Sequence, residues 1–365
     1  MAGRQGPLED VAVDRAFWKN RKVLLTGHTG FKGSWLALWL HDLGARVHGY
    51  ALHPPTEPNL FTVARVDRRL TTSILADVRD AEALTQAMQA AQPEIVIHMA
   101  AQSLVRHSYQ EPAETYAVNV MGTVNLLEAV RRTPGVKAVI NVTTDKCYEN
   151  REWVWPYREN EAMGGHDPYS SSKACSELVT AAYRRSFLAA TGIYLASARA
   201  GNVIGGGDWA ADRLLPDFLR ALDAGRPLTM RSPSATRPWQ HVLEPLAGYL
   251  MLAEKLSTAG DAYADAWNFG PDDADTRTVQ WIVEYLCHRA PEARWQTDSQ
   301  PQPREAHALK LDSSKARASL GWCPKWNLST ALDKTLAWHQ SWRARHDMAN
   351  ISLAQIHEYE AAARP

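Results

Sequence analysis

Tyr169 and Lys173 stand four residues apart in the segment YSSSK, so a helix places both side chains on one face. A phenol with an ordinary pKa of about 10 is a poor base at neutral pH, and a cation one turn away favours its phenolate. The pair predicts a tyrosine that removes a hydroxyl proton in a redox reaction and a lysine that holds a dinucleotide ribose. Taken alone, the same spacing also suits a solvated surface pair.

Thr144, Asp145 and Lys146 follow the apolar run 137–143 in the stretch NVTTDKCYEN. In an open α/β sheet the carboxyl ends of the strands face the ligand crevice. A reductase needs only a hydroxyl such as that of Thr144, which binds the substrate hydroxyl that Tyr169 deprotonates. The additional acid and base, Asp145 and Lys146, suggest a second step with proton transfer. The alternative is a polar strand exit with solvated charges.

Gly27, Gly30 and Gly33 lie in the segment TGHTGFKGSW, between an apolar strand pattern and an apolar helix pattern. Glycines at such a turn let the chain reverse tightly, let a pyrophosphate approach the main chain and let the helix pack closely on the sheet. The pattern therefore predicts a dinucleotide site, and a purely structural strand-to-helix turn is the alternative.

The end of the second predicted strand is where residues that distinguish NAD from NADP are expected. The second predicted strand ends in residues 50–53 (YALH), without the carboxylate that often holds the adenosine ribose. No arginine replaces it to hold a 2′-phosphate, which favours NAD, although Lys32 lies in the glycine turn. Asp77 and Val78, after the third strand, are candidates for contacts with the adenine edge, and a solvated turn acid is the alternative for Asp77.

Strand and helix patterns alternate along the first two thirds of the chain, on both sides of these residues. This order predicts an α/β fold: a Rossmann-like, doubly wound parallel sheet with a smaller C-terminal mixed α/β lobe. The predicted division is a lead-in at 1–20, a dinucleotide-binding domain at 21–204 and a substrate domain mainly at 205–365, with segments returning to the first lobe. The strand patterns lie at 22–26, 46–52, up to 76, 94–99, 137–143 and 195–199, and the helical patterns at 33–43, 81–91, 112–132, 169–189 and 214–224.

Composition excludes several classes of protein. The 365 residues are 45% hydrophobic, which is enough for a large core, and the 40 basic and 40 acidic residues cancel. A nucleic-acid binder that works through bulk charge is therefore not expected. The four cysteines form no CxxC pair, so neither a disulfide framework nor a metal site is predicted. No apolar run approaches the roughly 20 residues of a membrane span, and a cytoplasmic protein without a membrane partner is expected.

Seven segments in order resemble the extended short-chain dehydrogenase/reductases that modify nucleotide sugars, from about residue 17 to about residue 338. More narrowly they are similar to the nucleotide-sugar 4,6-dehydratases, in the branch that takes CDP-glucose; GHTGFKGSW and TDKCYEN are specific to that branch. The segments are GHTGFKGSWLALWL, HMAAQSLV, NVMGTVNLLEA, TTDKCYEN, YSSSKACSE, RAGNVIGGGDW and RPWQHV.

The resemblance implies an NAD-dependent dehydration in deoxysugar biosynthesis. Tyr169 takes the proton of the sugar 4-hydroxyl while C4 loses hydride. C5 then loses a proton and water leaves from C6, after which the hydride returns to C6 and C5 is reprotonated. Asp145 is the implied acid for the departing hydroxyl. In the related dTDP-glucose dehydratases a glutamate follows it as the C5 base, whereas this chain has Lys146, which must be neutral at some stage to act as a base.

The resemblance also implies which residues line the cleft and that the chain forms a homodimer or homotetramer. His98, Ala100, Ala101 and Asn119 are implied to line the nicotinamide and sugar side of the cleft. The alternative is that His98 and Asn119 hold strand and helix ends together, and that Arg213 is a surface charge. Trp153, Trp155, Trp209 and Trp239 are candidates to stack on the base or sugar, with core packing as the alternative. The implied catalytic residues are Thr144, Asp145, Lys146, Tyr169 and Lys173; the implied NAD-binding residues are Gly27, Thr29, Gly30, Phe31, Lys32, Gly33, Asp77, Val78, Ala100, Ala101, Asn119, Thr143, Tyr169 and Lys173; the implied CDP-glucose contacts are Gln102, Asn202, Arg213, Arg237 and His307, with Arg304 beside the last.

Two rival functions remain open at the level of the sequence. A nucleotide-sugar epimerase or reductase would keep the glycine turn, Thr144 and the Tyr169–Lys173 pair, but would have no need for Asp145 and Lys146. A non-catalytic nucleotide-binding protein on the same fold is the second rival. The complete set of tyrosine, lysine and threonine counts against it.

Overall fold

The computed structural model describes residues 13–298 and 308–363. Its centre is a sheet of seven parallel strands in the order β10-β6-β5-β4-β1-β2-β3. From β1 the chain builds the sheet outward to β3 on one side and then crosses back to β4 and builds outward on the other, so a crevice opens above the carboxyl ends of β1 and β4. The strands are β1 Lys22–Thr26, β2 Arg46–Ala51, β3 Thr72–Leu75, β4 Ile95–His98, β5 Ala138–Val142, β6 Tyr194–Ala200 and β10 Ala266–Phe269.

Apolar runs make these strands because both faces of the sheet are covered. Alternate residues of each strand point to opposite faces. Leu25 and Ile97 belong to the core beneath one layer of helices, whereas Leu24, Val96 and Val139 belong to the core beneath the other. The predicted doubly wound parallel sheet is confirmed.

Nine helices of the described residues belong to the first lobe, which is the lobe built on this seven-stranded sheet. They are α1 Arg15–Trp18, α2 Phe31–Asp42, α3 Leu60–Val63, α4 Ala81–Ala91, α5 Val105–Gln110, α6 Pro112–Tyr116, α7 Gly122–Arg131, α8 Pro168–Tyr183 and α10 Leu243–Ala259. The predicted helix at 112–132 is α6 and α7 joined by a π-helical turn, Ala117–Met121. The predicted helix at 169–189 is α8 followed by a second π turn, Arg184–Leu188, and a 3₁₀ turn. Helix α5 was not predicted.

The remaining elements form the smaller lobe and a return to the first one. Two small sheets, β11-β9-β7 and β12-β8, pack with helices around a third core. Helix α13 reaches back to α2, where Trp39 Nε1 donates to Glu360 (2.8 Å). The predicted mixed α/β character of this part is confirmed. The elements are β7 Asn202–Ile204, β8 Leu228–Met230, β9 Thr236–His241, β11 Thr276–Thr278, β12 Trp295–Thr297, α9 Leu214–Asp223, α11 Val279–Arg289, α12 Leu328–Arg343 and α13 Met348–Ala361.

Across residues 13–298 and 308–363, no helix has the length and apolar character needed to span a bilayer.

Candidate active site

The glycine turn joins β1 to α2 at the crevice. Gly27 has φ +76°, and a Cβ there would lie 2.7 Å from the main-chain nitrogen of Ala100. A Cβ on Gly33 would lie 2.1 Å from the Gly27 carbonyl oxygen. Only glycine permits this close packing of turn, helix and β4 end. Gly30 precedes α2 as its N-cap residue and provides no side-chain cap, so the positive end of this 12-residue helix is not capped by a side chain.

The other predicted residues of the turn are anchored to the lobe around it. The Thr29 hydroxyl donates to the carbonyl of Leu52 (2.8 Å). Lys32 Nζ donates to the buried phenol of Tyr249 (2.9 Å), and burial, with the fields of Lys173 and Arg213, lowers the pKa of Lys32 to about 7. Phe31 is half-buried against the first core. Lys32 thus belongs electrostatically to the same cluster of charges as the tyrosine–lysine pair.

Asp77 and Val78 follow β3 as the sequence suggested. The Asp77 carboxylate pairs with Arg79 (2.6 Å), which lowers the pKa of Asp77, and its carbonyl accepts from the Tyr50 phenol (2.8 Å). Val78 is buried, and a Cβ on Gly122 would lie 2.8 Å from it. Asp77 therefore has an ion-pair partner of its own at the edge of the crevice.

Tyr169 lies at the start of α8, with its phenol inside the crevice. Its main-chain N–H donates to Ser108 of α5 (3.1 Å), so the helix absent from the sequence prediction fixes the start of α8. Burial raises the pKa of Tyr169 to about 12, whereas the Thr144 hydroxyl, its hydrogen-bond partner, and the nearby Arg213 oppose that rise. Thr144 and Tyr169, far apart in sequence, therefore meet.

Lys173 lies one turn after Tyr169 and is also buried. Its Nζ donates to the carbonyl of Val142 at the end of β5 (3.3 Å). Burial lowers the pKa of Lys173 to about 8, and the carboxylate of Glu177 acts against that shift. The ammonium is thus fixed between helix and strand end, and the cation that acts on the phenol most directly is Arg213.

Asp145 begins a 3₁₀ turn, Asp145–Cys147, immediately after β5. It is only 2% exposed. One carboxylate oxygen, Oδ1, accepts from Thr144 (3.0 Å), and Oδ2 has no hydrogen-bond partner in the described parts of the chain. Burial raises the pKa of Asp145, although Lys146, Thr144 and Arg237 oppose it. A buried carboxyl with one oxygen unpartnered is suited to hold a proton and donate it.

Lys146 is half-buried in the same turn. Its main-chain N–H approaches the Thr144 hydroxyl (3.4 Å). Within 13–298 and 308–363, no side chain or carbonyl accepts a hydrogen bond from its Nζ. The ammonium lies close enough to Asp145 for its charge to lower the pKa of that carboxyl. It makes no hydrogen bond to the described residues.

A buried ion pair between Glu177 and Arg199 lies beneath this turn, and the sequence interpretation missed it. Arg199 donates to Glu177 through Nε (2.9 Å) and a terminal nitrogen (2.8 Å). Glu177 also accepts from the Thr143 hydroxyl, so that predicted cofactor residue is turned into the core. The available signal was spacing: Glu177 follows Lys173 by four residues and shares its helix face.

The predicted residues after β4 serve mainly to hold the crevice together. His98 bonds to Thr26 (2.7 Å), and burial lowers its pKa to about 3. Asn119 accepts from the main chain of Gln102 (2.9 Å) and donates to Ser172 (2.9 Å). The Gln102 amide is bonded to Leu104 and Thr115. Ala100 and Ala101 are half-buried beside the turn.

Apart from Gln102, the predicted substrate residues that the structure describes lie on three separate segments of the second half of the chain. Arg213 precedes α9, pairs with Asp208 (2.9 Å) and also donates to Ser103 (3.1 Å). Arg237 on β9 is buried, and its charge is close enough to lower the pKa of Asp145. Asn202 is half-buried on the neighbouring β7. Arg304 and His307 lie outside the described residues.

Three of the four candidate tryptophans are packed against protein. Trp153 stacks on Tyr157 (5.3 Å between ring centroids), Trp209 packs edge-on against Trp338 and Trp342, and Trp239 is buried in the third core. Trp155 is 68% exposed. Among the described residues, no group of three or more His, Cys, Asp or Glu side chains is placed to hold a metal ion.

The glycine turn, the uncapped helix end and the Tyr-x-x-x-Lys pair lie on one crevice. Comparison with known proteins defines the class of protein to which this site belongs. The model of the family described as GDP-mannose 4,6 dehydratase matches residues 24–335. The chain belongs to this family of nucleotide-sugar dehydratases, within the extended short-chain dehydrogenases/reductases. It is 52% identical over 356 residues to the CDP-glucose 4,6-dehydratase of Salmonella typhimurium, covering 96% of this chain and 99% of that protein.

More distant proteins share the fold. The dTDP-glucose 4,6-dehydratase of Xanthomonas campestris is 25% identical over 343 residues, 87% of this chain and 94% of that one. Among solved structures, the UDP-glucose 4-epimerase of Thermotoga maritima superposes with a TM-score of 0.76 at 24% identity, covering 88% and 98% of the two chains. The dTDP-glucose 4,6-dehydratase DesIV of Streptomyces venezuelae, solved with NAD bound, gives 0.76 at 23% identity, covering 89% and 98%.

Proposed function

We propose that the protein catalyses the NAD-dependent dehydration of CDP-D-glucose to CDP-4-dehydro-6-deoxy-D-glucose. The observation that carries the proposal is Asp145: a buried carboxyl with one oxygen unpartnered, joined through Thr144 to the catalytic phenol. An oxidation alone needs the phenol and the hydroxyl, and the added acid provides for loss of water. The 52% identity to a CDP-glucose 4,6-dehydratase over nearly the full length supports the same substrate.

The residues present suit a dinucleotide. The uncapped first turn of α2 at Gly30 offers main-chain N–H groups and a positive helix end to the diphosphate. Lys173 is fixed beside the strand end, where it can hold the nicotinamide ribose, and Val78 offers an apolar contact to the adenine. When bound, NAD supplies the acceptor for the hydride that leaves C4 of the sugar and the donor of the hydride that C6 receives.

Tyr169 moves the first proton. Loss of hydride from C4 leaves the 4-hydroxyl oxygen to become a ketone, and its proton passes to the phenolate of Tyr169. Burial works against the phenolate, because it raises the pKa of Tyr169 to about 12. The Thr144 hydroxyl and the charge of Arg213 favour the phenolate, and the positive cofactor ring adds to them.

Asp145 and Lys146 carry the elimination. The 4-ketone acidifies the C5 proton, which passes to a base that we assign to Lys146 in its neutral form. As the C5–H electron pair becomes a C5–C6 double bond, the C6–O bond breaks, and Asp145 donates its proton so that the hydroxyl leaves as water. Because burial raises the pKa of Asp145, the carboxyl is better able to hold that proton before the step. When C6 receives hydride, Lys146 returns its proton to C5. The proton that Tyr169 took from the 4-hydroxyl balances the one that Asp145 gave up.

Arginines on the smaller lobe are suited to hold the CDP group. Arg237 is buried near Asp145, and a guanidinium binds phosphate oxygens through two parallel donors. Arg213 lies beside Tyr169, with Asp208 and Ser103 fixing its orientation. We assign the diphosphate to Arg237, and contacts near the sugar to Arg213 and Asn202.

A panel of nucleoside-diphosphate sugars tests the proposal. The protein is incubated with NAD and with CDP-glucose, dTDP-glucose, UDP-glucose or GDP-mannose, and products are identified by mass spectrometry and NMR. We expect loss of one water from CDP-glucose and a 4-keto-6-deoxy product. A product of unchanged mass and inverted C4 would establish an epimerase instead, and binding without turnover would establish a non-catalytic protein.

We also propose a homodimer that pairs through α6 and α8, in the cytoplasm where NAD and nucleotide sugars are found. These helices pack together, and the helices and the π turns that follow them carry exposed large apolar side chains: Tyr116, Met121, Leu178 and Phe187 are between 37% and 59% exposed. Exposed apolar side chains of this size support a partner surface here. Sedimentation of the wild type and of Leu178→Asp tests it, and a monomeric wild type contradicts it.

The keto-deoxysugar product would supply deoxysugar synthesis, including that of lipopolysaccharide.

A further inference from the structure

One buried ion pair contacts both ends of the segment that carries Thr144, Asp145 and Lys146. Before the segment, the Thr143 hydroxyl donates to Glu177. After it, the Tyr148 phenol oxygen accepts from Arg199 (2.8 Å). The catalytic turn is therefore held between two bonds to a single Glu177–Arg199 pair.

The ion pair is rigid because each partner makes several bonds. Both side chains are 4% exposed. Glu177 accepts two bonds from Arg199 and one from Ser197 (2.6 Å), and Arg199 also donates to the carbonyl of Glu159 (3.0 Å). A buried, multiply bonded guanidinium has little freedom to rotate, so a hydroxyl bonded to it is fixed in space.

Tyr148 connects this pair to the turn. Its hydroxyl accepts from Arg199 and donates to Asn268 of β10 (2.7 Å), and the Arg199 guanidinium lies 5.0 Å from the centre of its ring. The ring stacks on Tyr157 at 5.2 Å. Tyr148 follows Cys147 directly, so its position determines where the 3₁₀ turn ends.

We infer that Tyr148 is a positioning residue for Asp145 and Lys146, acting through its bonds to Arg199 and Asn268. This rests on the proposed function, in which those two groups perform the elimination. The turn depends on such support because, among the described residues, the only side chain that bonds to Asp145 is its neighbour Thr144, and Lys146 makes no hydrogen bond from its Nζ. Tyr169 and Lys173 are held by α8 and do not need it.

The test compares Tyr148→Phe with Tyr157→Phe. Tyr157 is a matched control, because its hydroxyl also makes two bonds, to Arg151 and Asn150, in the same aromatic stack. In Tyr148→Phe we expect turnover of CDP-glucose to fall about ten- to a hundredfold, as small displacements of reacting groups do. Oxidation at C4 should persist, so NADH should accumulate during turnover, as seen by its absorbance. Tyr157→Phe should show no such accumulation.

A second measurement does not depend on the reaction. Hydrogen–deuterium exchange of the protein without substrate should be faster at residues 143–148 in Tyr148→Phe, and not in Tyr157→Phe. Arg199→Lys, which keeps the charge beside Glu177 but loses the planar fork, should act in the same direction as Tyr148→Phe.

Reduced turnover without NADH accumulation, or unchanged exchange at 143–148, would overturn the inference. If the wild type forms neither NADH nor product from CDP-glucose, the proposed function fails, and the exchange comparison then decides by itself whether Tyr148 holds the turn.

Discussion

The two halves of the candidate active site are positioned in different ways. Tyr169 and Lys173 lie one turn apart on α8, so the hydrogen bonds of a single helix set their separation. Asp145 and Lys146 lie on a short 3₁₀ turn, whose position depends on Arg199, on Glu177 and, through Tyr148, on Asn268, 120 residues further along the chain than Tyr148. The pair that oxidises is therefore local in origin, and the pair that eliminates water is a product of the tertiary fold.

This difference predicts that the two half-reactions can be separated by substitution. Changes on α8 should stop the reaction before any hydride moves. Changes in the turn or beneath it should let oxidation occur and stop the reaction afterwards. The amount of NADH present during turnover distinguishes the two outcomes, because NADH forms in the first half-reaction and is consumed in the last.

The largest effect is expected for Tyr169→Phe. Without the phenol, no group on α8 accepts the proton of the 4-hydroxyl, and general-base catalysis commonly contributes a factor of 10² to 10⁴. We expect turnover of CDP-glucose to fall about a thousandfold, with no NADH detected after mixing in a stopped-flow absorbance experiment. Binding of CDP-glucose, measured by calorimetry, should change little. Rapid NADH formation in this variant would mean that another group serves as the base.

The sequence was sufficient to predict most of the sheet and the placement of Tyr169 and Lys173 on one helix. The glycine turn, the strands around it and the Tyr169–Lys173 pair depend on spacings of a few residues, and their elements lie where the pattern placed them. Spacing places Glu177 on the helix face of Lys173, but it does not show that Arg199 pairs with it. An exposed and a buried position for Arg199 look the same in the sequence until β6 pairs with β5. Helix α5, which fixes Tyr169 through Ser108, is only six residues long and has no clear periodicity.

The second effect in size is expected for Asp145→Asn. The amide keeps the size of the side chain and can still accept from Thr144, but it has no proton to give to the departing hydroxyl. We expect product formation to slow about a hundredfold while C4 oxidation continues, so that NADH accumulates. Quenched reactions analysed by mass spectrometry should contain the 4-keto sugar that still has its oxygen at C6. Equal slowing of oxidation and water loss would contradict the assignment of Asp145 as the acid.

The smallest effect concerns the pH dependence of NADH formation, which we expect the Tyr169–Lys173 pair on α8 to control. Burial lowers the pKa of Lys173 to about 8. Its ammonium is therefore present below that pH and is lost as the pH rises through it, whereas Tyr169, with a pKa of about 12, titrates far above this window. Neutral Lys173 no longer binds the ribose as a cation. The initial rate of NADH formation should accordingly fall above a pH of about 8.

Lys173→Arg sharpens that prediction, because a guanidinium stays protonated throughout this range. The fall in rate should move to higher pH, and the maximal rate should drop about tenfold because the planar fork cannot reproduce the point contact of the ammonium with Val142. Lys19→Arg, at an exposed position on the opposite side of β1 from the turn, should leave the profile unchanged. If the fall above that pH persists in Lys173→Arg, a group other than Lys173 titrates there, and the local pair would not control the pH dependence of oxidation.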